Sequence, residues 1–169
     1  IKSKGLIEYA EAAAILREEH PDAKFLLYGF PDDHNDSIDE KEIKSDWFEK
    51  YGVEYLGFSD NPIEAISQCS IYVLLSYNEG TPRSVLEAMS MGRPIITTDV
   101  SGCRETVIHK RNGFLVKLKD PIDAADAMKF LMKEGIREKM GSESRKYCKE
   151  KFNVYDVNQI LLETIKLNS

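Results

Sequence analysis

Short apolar runs alternate along the chain with longer segments of helical periodicity. Residues 24–28 (KFLLY) and 71–75 (IYVLL) are mostly apolar runs of the length that forms buried strands. Between such runs, apolar residues recur every three or four positions, as in the segment that starts at Leu6 and stops at His20-Pro21. The alternation predicts strands that are connected by helices.

The complete pattern predicts an α/β, doubly wound parallel-sheet domain with right-handed crossovers. Such domains bind ligands beyond the carboxyl ends of their strands. An N-cap at Asn61 with Pro62 behind it marks the start of one short helix. Predicted strands cover 24–28, 53–58, 71–75, 94–98 and 113–116, and the other predicted helices cover 6–20, 40–51, 84–91, 121–133, 136–152 and 154–167.

Composition and charge exclude several classes of protein. The 169 residues suit one globular domain, with 42% hydrophobic and 31% charged residues. The net charge of −6 argues against a nucleic-acid binder and gives no support to electrostatic membrane docking. No apolar stretch is long enough to span a bilayer. Three cysteines without a CxxC pair predict free thiols in a reducing compartment.

Candidate chemistry lies in the loop after the third predicted strand, residues 76–83 (SYNEGTPR). This loop places an acid, Glu79, and a base, Arg83, between a buried strand and the start of a helix. Unpaired N–H groups and the helix dipole favour an anion there, and the Arg83 guanidinium suits a phosphate. A plain strand-to-helix turn is the alternative interpretation.

Glu87 follows Ser84 by three residues, and this spacing allows two interpretations. Ser84-x-x-Glu87 can be a capping box at the start of the helix. If a diphosphate occupies the helix N-terminus, Glu87 is better used as an acceptor for neutral hydroxyls, such as those of a ribose. Glu79 and Glu87 would then hold hydroxyls at opposite ends of one diphosphate-linked ligand.

Residues 79–107 (EGTPRSVLEAMSMGRPIITTDVSGCRETV) resemble the retaining glycosyltransferases of group 1, which carry a Glu-x7-Glu motif and the two-domain GT-B fold. The resemblance continues in Lys4-Gly5, residues 113–116 and Phe152-Asn153, and so covers essentially the whole chain. The variants Pro82-Arg83-Ser84 and 102–105 (GCRE) resemble bacterial enzymes that extend polyprenyl-diphosphate-linked glycans.

The resemblance implies a role for each matching residue. Glu79 is the implied catalytic residue, an acid that contacts the donor sugar near the reacting centre. Lys4 would neutralise the diphosphate, and Glu87 would hold the ribose hydroxyls. Pro82 has no N–H to offer to the ligand. The implied nucleotide-sugar-binding residues are Lys4, Gly29, Gly57, Phe58, Ser59, Glu79, Gly80, Thr81, Pro82, Arg83, Ser84 and Glu87.

The resemblance also implies the organisation of the protein. The chain begins at Ile1 rather than Met, so we expect a piece of a longer protein, with residues 1–152 as the Rossmann-like donor-binding domain. Residues 153–169 are expected to form a helix that reaches toward an N-terminal domain of about 180–200 residues, in line with ordinary domain sizes. That second domain would bind a saccharide or polyprenyl-linked acceptor.

The implied activity is transfer of a sugar from a nucleotide-sugar, expected to be a UDP-sugar, in the synthesis of cell-surface polysaccharide, including lipopolysaccharide. The expected location is cytoplasmic, with a peripheral position at the inner face of the membrane as an option for the full-length protein. An epimerase or phosphorylase on the same fold, or a non-catalytic carbohydrate-binding module, is the alternative.

No metal or other cofactor is expected. The sequence has no Asp-x-Asp triplet that could hold a metal against a diphosphate, and Asp32-Asp33 reads as a solvated loop. His34 has no partner at ligand spacing. Cys103 is predicted to be a packed thiol, and Gly102-x-x-Glu105 to cap a helix.

Overall fold

A computed structural model gives the structure of residues 1–30 and 36–153. The predicted helix at 154–167, the Asp32-Asp33 pair and His34 lie outside the described residues. The predicted elements within the described ranges are present, with ends that shift by a few residues. The strands are β1 (Phe25–Tyr28), β2 (Val53–Gly57), β3 (Tyr72–Leu74), β4 (Ile95–Thr98) and β5 (Gly113–Val116).

Six helices and one short 3-10 turn connect the strands within the described ranges. The 3-10 turn occupies Lys2–Lys4 and leads directly into the first helix. The helices are α1 (Leu6–Glu19), α2 (Glu40–Tyr51), α3 (Pro62–Ser67), α4 (Arg83–Ser90), α5 (Pro121–Leu131) and α6 (Ile136–Lys151).

All strand pairs in the described part of the chain are parallel, which confirms the predicted fold class. β1 pairs with β2, and β4 pairs with both β3 and β5. The strands therefore form two hydrogen-bonded groups, β1-β2 and β3-β4-β5, rather than one continuous ladder. Parallel strands align their carboxyl ends at one edge, so the loops that follow β1, β2 and β3 meet there.

Two apolar cores cover the two faces of the strands. On one face α1 packs against α2 and α5, and its Ala10, Ala13 and Leu16 join a cluster that includes Trp47 of α2. On the other face α4 packs against α3 and α6, with Val85 and the neighbouring apolar side chains of α4 at the centre. This three-layer arrangement is that of a doubly wound α/β domain. Among the described residues, no helix is both long and apolar enough to cross a membrane.

The helix starts reflect local capping chemistry, and they decide between the two interpretations of Ser84 and Glu87. The Asn61 side chain accepts a hydrogen bond from the Glu64 N–H, as predicted. Helix α4 instead begins at Arg83 with Pro82 at the N-cap, and no side chain caps it. Ser84 therefore lies inside the first turn, where its hydroxyl cannot serve as an N-cap, and the Ser84-x-x-Glu87 capping box does not form.

Helix α6 approaches the end of α4 through a glycine. A Cβ placed on Gly141 would lie 2.2 Å from the carbonyl oxygen of Gly92, which belongs to the turn between α4 and β4. Gly141 is buried in this contact. The absence of a side chain thus lets the helix backbone lie directly on the turn.

We expect Gly141→Ala to destabilise the protein by about 1 kcal/mol or more. Overpacking of this kind costs about 1–3 kcal/mol, and the better helix propensity of Ala, worth about 1 kcal/mol, offsets only part of it. Ser142→Ala, at the exposed neighbouring position, is the matched control and should be close to neutral. Urea unfolding of both variants checks this; an unchanged or higher stability for Gly141→Ala would contradict the close contact.

Candidate functional site

The carboxyl ends of β1, β2 and β3 carry most of the residues that the sequence singled out. Gly29 follows β1, and its N–H donates to the carbonyl of Gly57 at the end of β2 over 2.9 Å. Phe58 and Ser59 follow β2 directly, and residues 76–82 connect β3 to α4. The topology therefore brings three separate stretches of sequence to one edge of the strands.

An ion pair joins the first turn of the chain to the loop after β3. The Lys4 ammonium donates to Glu79 Oε1 over 2.5 Å, and the Ser76 hydroxyl donates to the same oxygen over 2.7 Å. The Lys4 side chain is 43% exposed and the Glu79 side chain only 15%. The pair thus sits at a boundary, with a mostly covered carboxylate and an ammonium that still reaches solvent.

Backbone contacts hold the Lys4 turn against the end of β3. Gly5 has φ +73°, and a Cβ at this position would lie 2.1 Å from the carbonyl oxygen of Leu75. The Tyr77 N–H donates to the Ser3 carbonyl over 2.8 Å. Because glycine alone combines this φ with so close an approach, Gly5 sets where the Lys4 side chain starts.

Gly102 is a site residue whose predicted role was wrong. Residues 101–106 form turns rather than a helix, so Gly102 caps nothing. It has φ +78°, and a Cβ would lie 2.1 Å from the carbonyl oxygen of Gly80 and 2.3 Å from that of Glu79. Because this contact joins segments more than 20 residues apart, the local sequence pattern around Gly102 does not predict it.

Cys103 lies beside this contact as a packed thiol, as predicted. Its side chain is fully buried. Burial raises the pKa of the Cys103 thiol, and hydrogen bonds with the hydroxyls of Thr97 and Thr98 offset part of that rise. A buried thiol with a raised pKa is a poor nucleophile, so Cys103 serves packing.

A cleft opens beside the ion pair and extends inward between β1 and β3, with a total volume of about 920 Å³. Six of the predicted site residues line it: Lys4, Gly29, Phe58, Ser59, Ser84 and Glu87. Gly57, Glu79, Gly80, Thr81, Pro82 and Arg83 do not line it; Glu79 contacts the cleft through Lys4, and Arg83 is exposed at the first residue of α4.

Tyr72 is a cleft residue that the sequence pattern placed only as part of a strand. Burial raises the pKa of its phenol, a hydrogen bond with the Ser84 hydroxyl lowers it, and the charges of Glu87 and Glu79 raise it further. Tyr72, Ser84 and Glu87 also line the same cleft. Together they form a wall of hydroxyl and carboxylate groups.

A second tyrosine ties the loop to α1. The Tyr77 hydroxyl donates to Glu8 Oε1 over 2.6 Å, and the Lys119 ammonium lies 4.7 Å from the centre of the Tyr77 ring. Burial and the hydrogen bond with Glu8 raise the pKa of Tyr77 to about 12, so the phenol stays protonated and keeps donating. The loop that carries Glu79 is thus anchored on both sides.

Two exposed aromatic rings stand at the ends of β1 and β2. Phe30 and Phe58 are 65% and 61% exposed, and their rings meet edge to face with centroids 5.4 Å apart. The two rings form an apolar surface next to Gly29 and Ser59, which were singled out as site residues. Within the ranges 1–30 and 36–153, no cluster of three or more His, Cys, Asp or Glu side chains is arranged to hold a metal ion.

Comparisons with known proteins agree on one family. Residues 1–151 match the profile of the glycosyl transferases group 1. The N,N'-diacetylbacillosaminyl-diphospho-undecaprenol alpha-1,3-N-acetylgalactosaminyltransferase of Campylobacter jejuni is 31% identical over 164 residues, which are 97% of this chain and 41% of that protein. The chain spans less than half the length of the first curated relatives that it matches.

Solved structures show the same fold. Anabaena Alr3699/HepE in complex with UDP superposes with a TM-score of 0.86 at 22% identity, over 98% of this chain and 46% of that one. The C-terminal domain of the group 1 protein LpcC from Francisella tularensis superposes with a TM-score of 0.77 at 24% identity, over 91% of this chain and 82% of that one. The sequence match over residues 1–151 and the shared fold lead to one conclusion: the chain belongs to the glycosyl transferases group 1 family.

Proposed function

We propose that this chain is the nucleotide-sugar-binding part of a retaining glycosyltransferase that uses a UDP-sugar. The observation that carries the proposal is the convergence of Lys4, Glu79 and the start of α4 beside a cleft lined by Ser84 and Glu87. The acceptor would be a saccharide or polyprenyl-linked glycan, bound by an N-terminal domain, in the synthesis of cell-surface polysaccharide such as lipopolysaccharide.

The cationic groups suit a departing nucleoside diphosphate. Breaking a sugar–phosphate bond builds negative charge on the leaving group. Lys4, Arg83 and the N–H groups at the start of α4 can stabilise that charge electrostatically. An ammonium has three donors, so Lys4 can bind a phosphate oxygen and keep its hydrogen bond with Glu79.

The carboxylates suit the neutral parts of the ligand. Lys4 and Ser76 both bind Glu79 Oε1, and this fixes the direction of Oε2. A carboxylate with a fixed orientation would align the donor sugar. Glu87 is not part of a cap, so its carboxylate is available to accept hydrogen bonds from ribose hydroxyls. The Phe30–Phe58 pair would contact the base, and the backbone of Gly29, Gly57 and Ser59 would border it.

The relatives support the choice of UDP and of a lipid-linked glycan. The Anabaena protein was crystallised in complex with UDP, and the name of the Campylobacter relative describes a diphospho-undecaprenol acceptor. The thiols of Cys69, Cys103 and Cys148 are free, which supports a cytoplasmic location. We further propose that residues 153–169 reach toward the N-terminal domain and that the full-length protein can lie at the inner face of the membrane.

UDP should bind this chain, and Glu87→Gln should weaken that binding about tenfold, or about 1.4 kcal/mol, by removing the charged acceptor for ribose. Isothermal titration with UDP, GDP and ADP measures both effects and the base preference. Glu105→Gln, at an exposed site that pairs with Lys151 of α6 and does not line the cleft, is the matched control and should leave the affinity unchanged. A folded chain that binds none of the three at millimolar concentration would contradict the proposed site.

Glu79→Gln should lower kcat of the full-length enzyme by about 10² or more, because the charge that orients the sugar and Lys4 is lost. The amide oxygen can still accept from Ser76, so we expect the free energy of unfolding to fall by only about 1 kcal/mol. Steady-state kinetics and thermal unfolding separate the two effects. Activity that persists at the wild-type level would remove Glu79 from the mechanism.

Epimerisation or phosphorolysis of the donor by the wild-type enzyme without any acceptor would favour the alternative enzymes.

We also propose that transfer needs no divalent metal, because Lys4, Arg83 and the start of α4 supply the positive charge that a metal would otherwise provide. Excess EDTA should therefore leave the activity of the full-length enzyme unchanged, while Lys4→Met should reduce kcat severely. If EDTA abolished the activity and Mg²⁺ or Mn²⁺ restored it, the proposal of metal-independent transfer would be wrong.

A further inference from the structure

Tyr77 lies in the loop after β3, two positions before Glu79, and makes two hydrogen bonds with the start of the chain. Its N–H donates to the Ser3 carbonyl over 2.8 Å, and its hydroxyl donates to Glu8 Oε1 over 2.6 Å. Ser3 belongs to the 3-10 turn and Glu8 to the first turn of α1. One residue therefore contacts both segments that flank Gly5.

Gly5 is the junction between these two segments. It ends the 3-10 turn and is the N-cap of α1, with φ +73° and ψ 30°. Glycine has the fewest restrictions on its backbone angles, so Gly5 by itself does not fix the angle between the turn and the helix. Tyr77 bridges the junction, because Ser3 precedes it and Glu8 follows it. This bridge, the Tyr77–Glu8 anchor, fixes the Lys4 turn relative to α1.

Glu8 is a buried acid that depends on Tyr77 for its hydrogen bonding. Glu8 is only 8% exposed, and within residues 1–30 and 36–153 its Oε2 has no hydrogen-bond partner. A hydroxyl that donates to a charged carboxylate forms a stronger hydrogen bond than one between neutral groups. A buried carboxylate that lost this donor would keep the full cost of its desolvation. Glu8 therefore favours the position of Tyr77 in which the hydroxyl reaches the carboxylate.

The Tyr77 ring has a further contact with the loop after β5. Lys119 lies between β5 and α5, and its ammonium is 4.7 Å from the centre of the Tyr77 ring. A cation over an aromatic ring is attracted by the electron density of the ring face. Tyr77→Phe would keep this ring contact and remove only the hydroxyl that binds Glu8. The substitution thus isolates the Tyr77–Glu8 anchor.

Both donors to the Glu79 carboxylate belong to the segments that Tyr77 joins. Ser76 precedes Tyr77 in the chain, and its hydroxyl donates to Glu79 Oε1. Lys4 follows Ser3, and its ammonium donates to the same oxygen. A shift of Tyr77 relative to the Ser3 carbonyl would therefore move one donor relative to the other. The direction of the Glu79 carboxylate would change as a result.

We propose that Tyr77 and Glu8 are positioning residues for sugar transfer, which hold the Glu79 carboxylate and the Lys4 ammonium in the arrangement that transfer needs. Their role in transfer rests on the proposed function, whereas the anchor itself does not. Neither residue lines the cleft, so neither would contact the nucleotide. Both act on the reaction through Glu79 and Lys4.

The Tyr77–Glu8 anchor should affect kcat more than the affinity for UDP. An ammonium on a flexible four-carbon stem can still reach a phosphate after a small shift of its backbone. The transfer step is more sensitive, because a misplacement of reacting groups by about 1 Å can cost a large factor in rate. Loss of the anchor therefore separates binding from transfer.

The test uses the full-length enzyme and four single substitutions. Tyr77→Phe removes the hydroxyl, Glu8→Ala removes the carboxylate, and Glu8→Gln keeps an oxygen that can accept from Tyr77. Tyr147→Phe is the matched control, because it removes a hydroxyl that donates to the Glu105 carbonyl over 3.3 Å and does not line the cleft. Steady-state kinetics, isothermal titration with UDP and thermal unfolding are measured for each variant.

Tyr77→Phe and Glu8→Ala should each lower kcat about tenfold or more, with a UDP affinity within about twofold of the wild type. The double variant should lose no more than the worse single variant, because both changes remove the same hydrogen bond. Glu8→Gln should retain most of the wild-type kcat, and Tyr147→Phe should leave kcat unchanged. A lower unfolding temperature with a wild-type kcat in Tyr77→Phe would show a merely structural role and overturn the proposal, as would an equally low kcat in Glu8→Gln and Glu8→Ala.

Amide hydrogen exchange tests the anchor independently of activity. The Tyr77 N–H should exchange about tenfold faster or more in Glu8→Ala than in the wild type, because its hydrogen bond with Ser3 opens more often. The Asp99 N–H, which donates to the Val116 carbonyl over 2.8 Å, is the reference and should change less. Unchanged exchange at Tyr77 would overturn the anchor. A wild-type enzyme that transfers no sugar, together with faster exchange in Glu8→Ala, would contradict the proposed function and still support the anchor.

Discussion

The ion pair between Lys4 and Glu79 is the interaction on which the candidate site depends. Its partners are 75 positions apart in the sequence and come together only because Gly5 lets the first turn lie on the end of β3. Removing one partner of this pair would leave a charge without its counter-ion, and the Glu79 carboxylate is mostly covered. The Lys4 ammonium stays accessible, so its remaining donors can bind a second anion. The arrangement therefore keeps the Lys4 ammonium beside the cleft while it remains paired with Glu79.

The surrounding geometry is built mainly from backbone. Gly5 contacts the Leu75 carbonyl, Gly102 contacts the carbonyls of Glu79 and Gly80, and the Tyr77 N–H binds the Ser3 carbonyl. Such contacts leave little room for adjustment, because carbonyl oxygens cannot rotate away as side chains do. The end of β3 and the loop that carries Glu79 are thus held by three backbone contacts before any ligand arrives, which the proposed electrostatic stabilisation of a leaving group requires.

The candidate site lies at one end of a cavity that extends between β1 and β3. The mouth is lined by Lys4, Ser84 and Glu87, whereas the interior is mostly apolar and lies between β1 and β3, which do not pair with each other in the described part of the chain. In a parallel sheet, polar residues lie in the loops at the carboxyl ends of the strands, and apolar residues lie within the strands. The two apolar cores are separate clusters because they lie on opposite faces of the strands.

The sequence by itself determined the elements and most of the candidate chemistry. Strand and helix bounds follow from periodicity and from turn residues such as Gly92 and Asn61-Pro62, which act within a few positions, and the spacing of Glu79 and Glu87 is likewise local. Only the structure decided that α4 begins at Arg83 without a side-chain cap, that Gly102 approaches the Glu79 loop, that Tyr77 binds Glu8, and that β1 and β3 do not pair. These features arise from contacts between segments far apart in the chain, and hydrophobic periodicity carries no information about which distant backbone or side chain a residue will meet.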